Sequence, residues 1–216
     1  MKGKLRKLKM KMPPIMEYWV SIQNNKERNR YIDRIEKIIR SSLEYKDYIN
    51  FLKENVGLNS CIFFNHISSG KKHVSVDMHH EPFTLYDYVN VVLKKYEEEG
   101  IPLDDLDIAD EVMRLHYENS VGLVPLTKTA HEMVHNSDKL QVPITMCYGS
   151  YSNFLNEYAD YIPDEMYAKL QKKIDFAKNL TEDAFDALTK EFTYIEIEGV
   201  SEPEKMEVQV ETSMTA

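Results

Sequence analysis

The chain has 216 residues, enough for one substantial core or two small ones, with 43% hydrophobic and 11% aromatic side chains. Seven glycines against fourteen tyrosines argue for a compact, helix-rich protein, and two distant cysteines, Cys61 and Cys147, argue against both a disulfide scaffold and a four-cysteine zinc site. No stretch of 18 apolar residues occurs and no apolar segment follows the basic N-terminus, so neither a membrane span nor a secretory leader is expected, and the expected compartment is the cytoplasm.

The net charge of −9 is unevenly spread. Residues 1–12 carry +6, residues 181–216 carry −8, and the body between them carries −7. Only the local field over a site governs binding of a polyanion, so this balance permits a nucleic-acid partner but favours assisted binding over strong autonomous binding.

In chain order, residues 1–14 read as a basic arm closed by Pro13-Pro14, either solvated or touching phosphates. Residues 15–60 form an N-terminal helical segment. Tyr31, Ile35, Ile38 and Ile39, then Tyr45, Tyr48, Ile49 and Leu52, recur at the helical period, with a break at Ser41-Ser42 and a stop at Gly57. The period then changes. Cys61–Phe64 and the alternating Val74–His79 predict two strands joined by a turn at 68–71. Residues 84–117 predict two helices, the first capped by Thr84 and ended by Gly100-Ile101-Pro102, the second starting near Asp107. Val121–Leu126 predicts a brief strand at a sheet edge because of Pro125, and Thr127 caps a helix over Lys128–Asn136. Residues 141–192 predict further helices near 152–161, 163–180 and 182–190. The acidic tail, 193–216, is expected to lack a core, its last residues having no aromatic side chain.

Four of the seven histidines fall into two tight groups. His79-His80 end a strand. His131 and His135 stand four apart on a helix, hence on one face, where two imidazoles can share one ion. Neighbouring strand residues point to opposite sides, so His79 and His80 are not expected to hold the same ion. One binds metal and the other stays free as a base.

The order of strand, His79-His80, connection, Gly122–Leu126 and a helix bearing His131 and His135 resembles the HNH, or ββα-metal, nucleases, and the histidine pattern is similar to their DNase colicin variant. The resemblance covers residues 74–136. It implies an α+β, mostly helical protein: an HNH core over 61–140 that carries 84–117 as a helical insertion, with helical additions on either side. It implies hydrolysis of DNA phosphodiester bonds with a divalent metal (magnesium, manganese, zinc or nickel) on His79, His131 and His135 and with His80 as general base. Gly122 stands where the motif has asparagine, so Asn119 is the expected substitute. Lys128, in the first turn of the metal helix, is the expected phosphate clamp; Lys71, Lys72 and Arg114 are further DNA-binding candidates, and Asp77 and His116 are candidates for orienting a ligand. The insertion in a short chain looks phage-like, and a protein partner that guides it to DNA fits its charge.

Two other readings stay open. His131-Glu132-Met133-Val134-His135 is a literal H-E-x-x-H, the zinc-binding signature of metalloproteases, with Glu157 as third ligand and Asp160 nearby. An HNH-like DNA-binding or DNA-packaging accessory protein is the third class.

Overall fold

The computed structural model describes residues 24–64, 75–136 and 140–180. The basic arm, the predicted turn with Lys71 and Lys72, the helix expected at 182–190 and the acidic tail lie outside the described residues. Among those described, the chain is α+β and mostly helical, with seven α-helices and one antiparallel pair of strands.

Asn24 opens α1 (Asn25–Ser41), its side chain accepting from the Glu27 amide, and Tyr31, Ile32, Ile35 and Ile39 form the buried stripe. Ser42 ends α1 and caps α2 (Leu43–Phe51), which runs on through a π turn to Gly57 at φ 89°. The break is therefore one serine wide, and the glycine ends the element in the left-handed region open to it. Next in the sequence come strand β1 (Val76–His80), α3 (Leu85–Glu99) and α4 (Asp105–Tyr117). A capping box of Thr84 and Asp87 starts α3; Asp104 rather than Asp107 starts α4, its carboxylate accepting from the amides of Leu106 and Asp107.

Strand β2 (Leu123–Thr127) then leads without a break into α5 (Lys128–Asn136), Thr127 Oγ1 accepting from the Ala130 amide. Two further helices close the described chain, α6 (Tyr151–Glu157) and α7 (Asp164–Asn179). Helix α6 is shorter than the sequence implied, because the chain tightens into a 3₁₀ turn at Ala159–Tyr161 before Pro163.

The partner of β1 is β2 and not the run Cys61–Phe64. The pairing is antiparallel, with His79 opposite Val124 and His80 opposite Leu123. Cys61–Phe64 instead forms a turn, the Phe64 amide donating to the Cys61 carbonyl. One bond, from the Ile62 amide to the Pro125 carbonyl, ties it to the outer edge of β2. Two apolar residues, Cys61 and Phe63, are buried there without the extended backbone that a strand requires. Pro125 is tolerated because the backbone of Leu123, two residues earlier, turns outwards to Tyr148; the missing N–H of Pro125 falls on that same outward side.

The strand pair separates two cores. Met78 and Leu123 face the large one, built from α1 to α4, α6 and α7. Val124 and Leu126 face a small one with Ala130 of α5, Cys61, Phe63, Leu140 and Val142. By the period-two rule, Asp77, His79 and Glu81 share the α5 side, whereas Val76, Met78 and His80 share the large-core side. The pairing continues one residue past β1, where the Glu81 amide donates to the Gly122 carbonyl at 2.9 Å. A Cβ at Gly122 would lie 1.9 Å from the Glu81 carbonyl oxygen, so glycine is needed for the two backbones to meet. Gly122→Ala is expected to lower unfolding free energy by about 1–3 kcal/mol, the usual cost of forcing atoms into a filled space. Urea denaturation checks this, and a wild-type midpoint would show that the strands part without cost.

Candidate metal centre

Three imidazoles meet between the strand pair and α5. His79 comes from β1 and is 5% exposed; His131 and His135 come from successive turns of α5, half-buried and exposed. Their ring centroids lie 5.1, 5.0 and 4.8 Å apart, and one nitrogen from each falls within 4.8 Å of the others. The Nε2 atoms of His131 and His135 are 3.1 Å apart. Two nitrogens bound at the usual zinc distance to one tetrahedral ion stand ~3.3 Å apart, so the helix already presents its pair at a chelating spacing.

The electrostatics suit a ligand set. Burial, then the neighbouring imidazoles His79 and His135, holds His131 below the usual histidine range. Burial, then His79, does the same for His135. Both are pushed towards the neutral form that carries a lone pair for metal. Asp77 Oδ2 lies 3.7 Å from His131 Nδ1, and Glu81 Oε2 lies 3.4 Å from His79 Nε2. Each of these rings therefore has a carboxylate near a ring nitrogen, the outer arrangement that orients metal-binding histidines. Three nitrogen donors on a half-open surface fit a divalent transition metal with coordination positions left for water or substrate.

His80 stands elsewhere. Strand alternation carries it through the sheet into the large core, where it stacks on Tyr45 and meets His116 of α4. The two Nε2 atoms are 2.9 Å apart, and His116 Nδ1 lies 2.8 Å from the Val112 carbonyl. A carbonyl only accepts, so the proton of His116 is on Nδ1 and its Nε2 is an acceptor. His80 must then donate from Nε2. Burial, then His116, holds His80 well below the usual range, and burial brings His116 down to about 4. Both rings are neutral at pH 7. The expectation that His80 shares the metal cleft is corrected by this geometry.

The other candidates divide. Lys128 is exposed in the first turn of α5, one turn before His131. Arg114 is committed to acids, with Glu118 Oε2 at 2.6 Å and an ion pair to Glu157, so it is not offered to DNA. The same pair removes Glu157, the third ligand that a protease reading needs, from the histidines. Asn119 is exposed at φ 54° and serves through its backbone, its carbonyl accepting from Ser150 N at 2.6 Å. Two residues were missed by sequence reasoning. Glu81 was legible, being two residues past His79 on the same strand face; Lys173, which pairs with Glu81 from α7, left no local signal.

A sequence model of the bacteriophage G278-like virion proteins matches residues 7–202. The chain belongs to that family. The phage character expected from the sequence is thereby shown at the level of the family. No curated protein and no solved structure matches the chain. Among the described residues of this virion-family protein, no helix is long and apolar enough to cross a membrane.

The buried histidine pair of the virion-family protein has a consequence for pH. Both groups have folded pKa values below the ordinary histidine value, so the unfolded state binds more protons once pH falls through about 6.5. The pair's share of stability is complete above that value and drains away towards pH 4. Urea midpoints taken between pH 7 and pH 4 should fall less steeply for the His80→Phe, His116→Leu double variant than for wild type. Equal slopes would mean that the pair does not titrate with folding.

Proposed function

We propose that this virion-family protein is a metal-dependent DNA endonuclease of the HNH, ββα-metal type, acting at His79, His131 and His135. One observation carries the reading. Two antiparallel strands run directly into a helix, and an imidazole from the first strand meets two from the helix between them. That is the layout the sequence resemblance implies. A bound divalent ion would supply charge neutralisation at phosphorus and stabilise the leaving oxygen. Three imidazole donors suit zinc or nickel better than magnesium, which prefers oxygen ligands.

The protein's own groups do the rest. Lys128 places an ammonium beside the N-terminus of α5, where helix amides also favour a phosphate. His80 is turned away, so the proton of the attacking water goes to another acceptor. Asp77 takes that role: it shares the face of His79, sits beside His131 and keeps 42% of its side chain exposed. A carboxylate within reach of solvent and of the centre can both accept a proton and hold a water in place.

A second reading is a structural metal clip in the virion. Its support is that α5 fully buries one residue, Ala130, so an ion would add much to the seating of that helix. The two readings part on substrate. The nuclease reading expects plasmid nicking or cutting with zinc or nickel, none with EDTA, and no cleavage of a peptide substrate. Asp77→Asn, assayed at saturating metal, should reduce cleavage by about a hundredfold to ten-thousandfold, while His80→Ala loses stability but keeps metal and most activity. Binding of DNA without cutting would favour an accessory role, and chelator-induced loosening of α5 without any DNA binding would favour the clip.

A further inference from the structure

Among the described residues, Glu81 is the one fully buried carboxylate, 2% exposed. A charge removed from water needs a partner, and a lone buried carboxylate is strongly unfavourable. Glu81 has two neighbours. Oε2 faces His79 Nε2 at 3.4 Å, and Oε1 is ion-paired with Lys173 Nζ. Its backbone is fixed as well, since its amide bonds Gly122 across the strand pair. The carboxylate thus sits between the metal-centre ring and α7.

Helix α7 approaches with a charged edge beside its apolar stripe. Met166 and Leu170 are buried in the large core, with Ile174 and Ala177 packed against it. Lys169 and Lys173, one turn apart, each meet an acid: Lys169 Nζ reaches Asp87 Oδ2 at 2.6 Å in the capping box of α3, and Lys173 reaches Glu81. The side chain of Lys173 remains 26% exposed, so its ammonium brings a hydrated positive charge to a buried acid.

We propose that Lys173 and Glu81 are positioning residues for the metal centre, and that docking of α7 and metal binding at His79, His131 and His135 are thermodynamically linked through them. Lys173 supplies the counter-charge for Glu81. Glu81 in turn favours the His79 tautomer with a proton on Nε2, which leaves the lone pair on Nδ1, and fixes the ring's rotation. Linkage is reciprocal, so an ion at the centre strengthens the seating of α7 by the same factor that α7 strengthens the ion's binding. This rests on the metal centre of the proposed nuclease but does not depend on DNA cleavage.

The test uses zinc and nickel in competition with a chromophoric chelator, together with hydrogen exchange of α7. Lys173→Met and Glu81→Gln should each weaken metal affinity about 10–100-fold, the usual effect of removing an outer partner of a ligand histidine. Lys173→Arg should restore it. Lys169→Met, which removes the neighbouring pair to Asp87, should leave affinity unchanged. The double variant Glu81→Gln, Lys173→Met leaves no lone buried charge and so guards against misfolding; it should be no weaker than either single change, because the two act in series. Saturating metal should slow amide exchange in α7 of the wild type and not of Glu81→Gln. Wild-type affinity in Lys173→Met, or α7 exchange indifferent to metal, overturns the linkage. Failure to cut DNA with the linkage intact overturns the nuclease reading alone, and a wild-type chain that binds neither ion overturns both.

Discussion

The two-residue repeat of a single strand organises this molecule. Along β1 and the residue after it the side chains divide between two sides, Asp77, His79 and Glu81 to one and Met78 and His80 to the other. Every other feature of the centre follows from that division. The α5 side gains an imidazole beside Glu81, and an acid, Asp77, beside the facing ring of His131. The core side gains a buried imidazole, which must find a hydrogen-bond partner and does so in His116. Adjacent histidines, equally buried, end on opposite sides of the strand pair, one in the three-imidazole cluster and one in the large core, and no change of rotamer exchanges their places.

Much of this was legible. Hydrophobic period and capping residues gave α1 to α5 to within a few residues, because Asn24, Ser42, Thr84, Thr127, Gly57 and Gly100 each carry a local backbone preference that tertiary packing did not override. The pairing of His131 with His135 was legible from helix spacing, and that His79 rather than His80 joins them was what the family resemblance implied. Three things were not. The run Cys61–Phe64 looks like a strand, and four apolar residues satisfy a turn over a small core equally well. The position of His80 follows from the same alternation that separated it from His79, yet the family resemblance pulled it back towards the cleft. Lys173 lies 92 positions beyond Glu81, and no local pattern announces an ion pair across such a distance.

Charge tells a similar story. Arg114 looks from the sequence like a free cation, whereas Glu111 and Glu118 flank it along α4 and Glu157 reaches it from α6. A protein with an excess of acids uses its buried and half-buried cations to neutralise itself first. Lys128 is an exposed cation on the element that carries two of the three histidines, and its value lies in that placement more than in the total charge.

The strands that build the centre meet across a long connection. His80 and Leu123 are paired, yet α3 and α4 lie between them in the chain, so the pair cannot zip from a tight turn. Bringing such distant segments together costs loop entropy that is recovered only when the intervening helices have packed on α1. The histidine cluster therefore depends on contacts between segments far apart in the chain, and the same strand pair lends Met78 and Leu123 to the large core. A chain still emerging from the ribosome, or one released short of α5, contains His79 but has nothing for it to share. The cluster is in this sense a proof of completion: three imidazoles stand together only in a chain whose β1, β2 and α5 have all been brought into place.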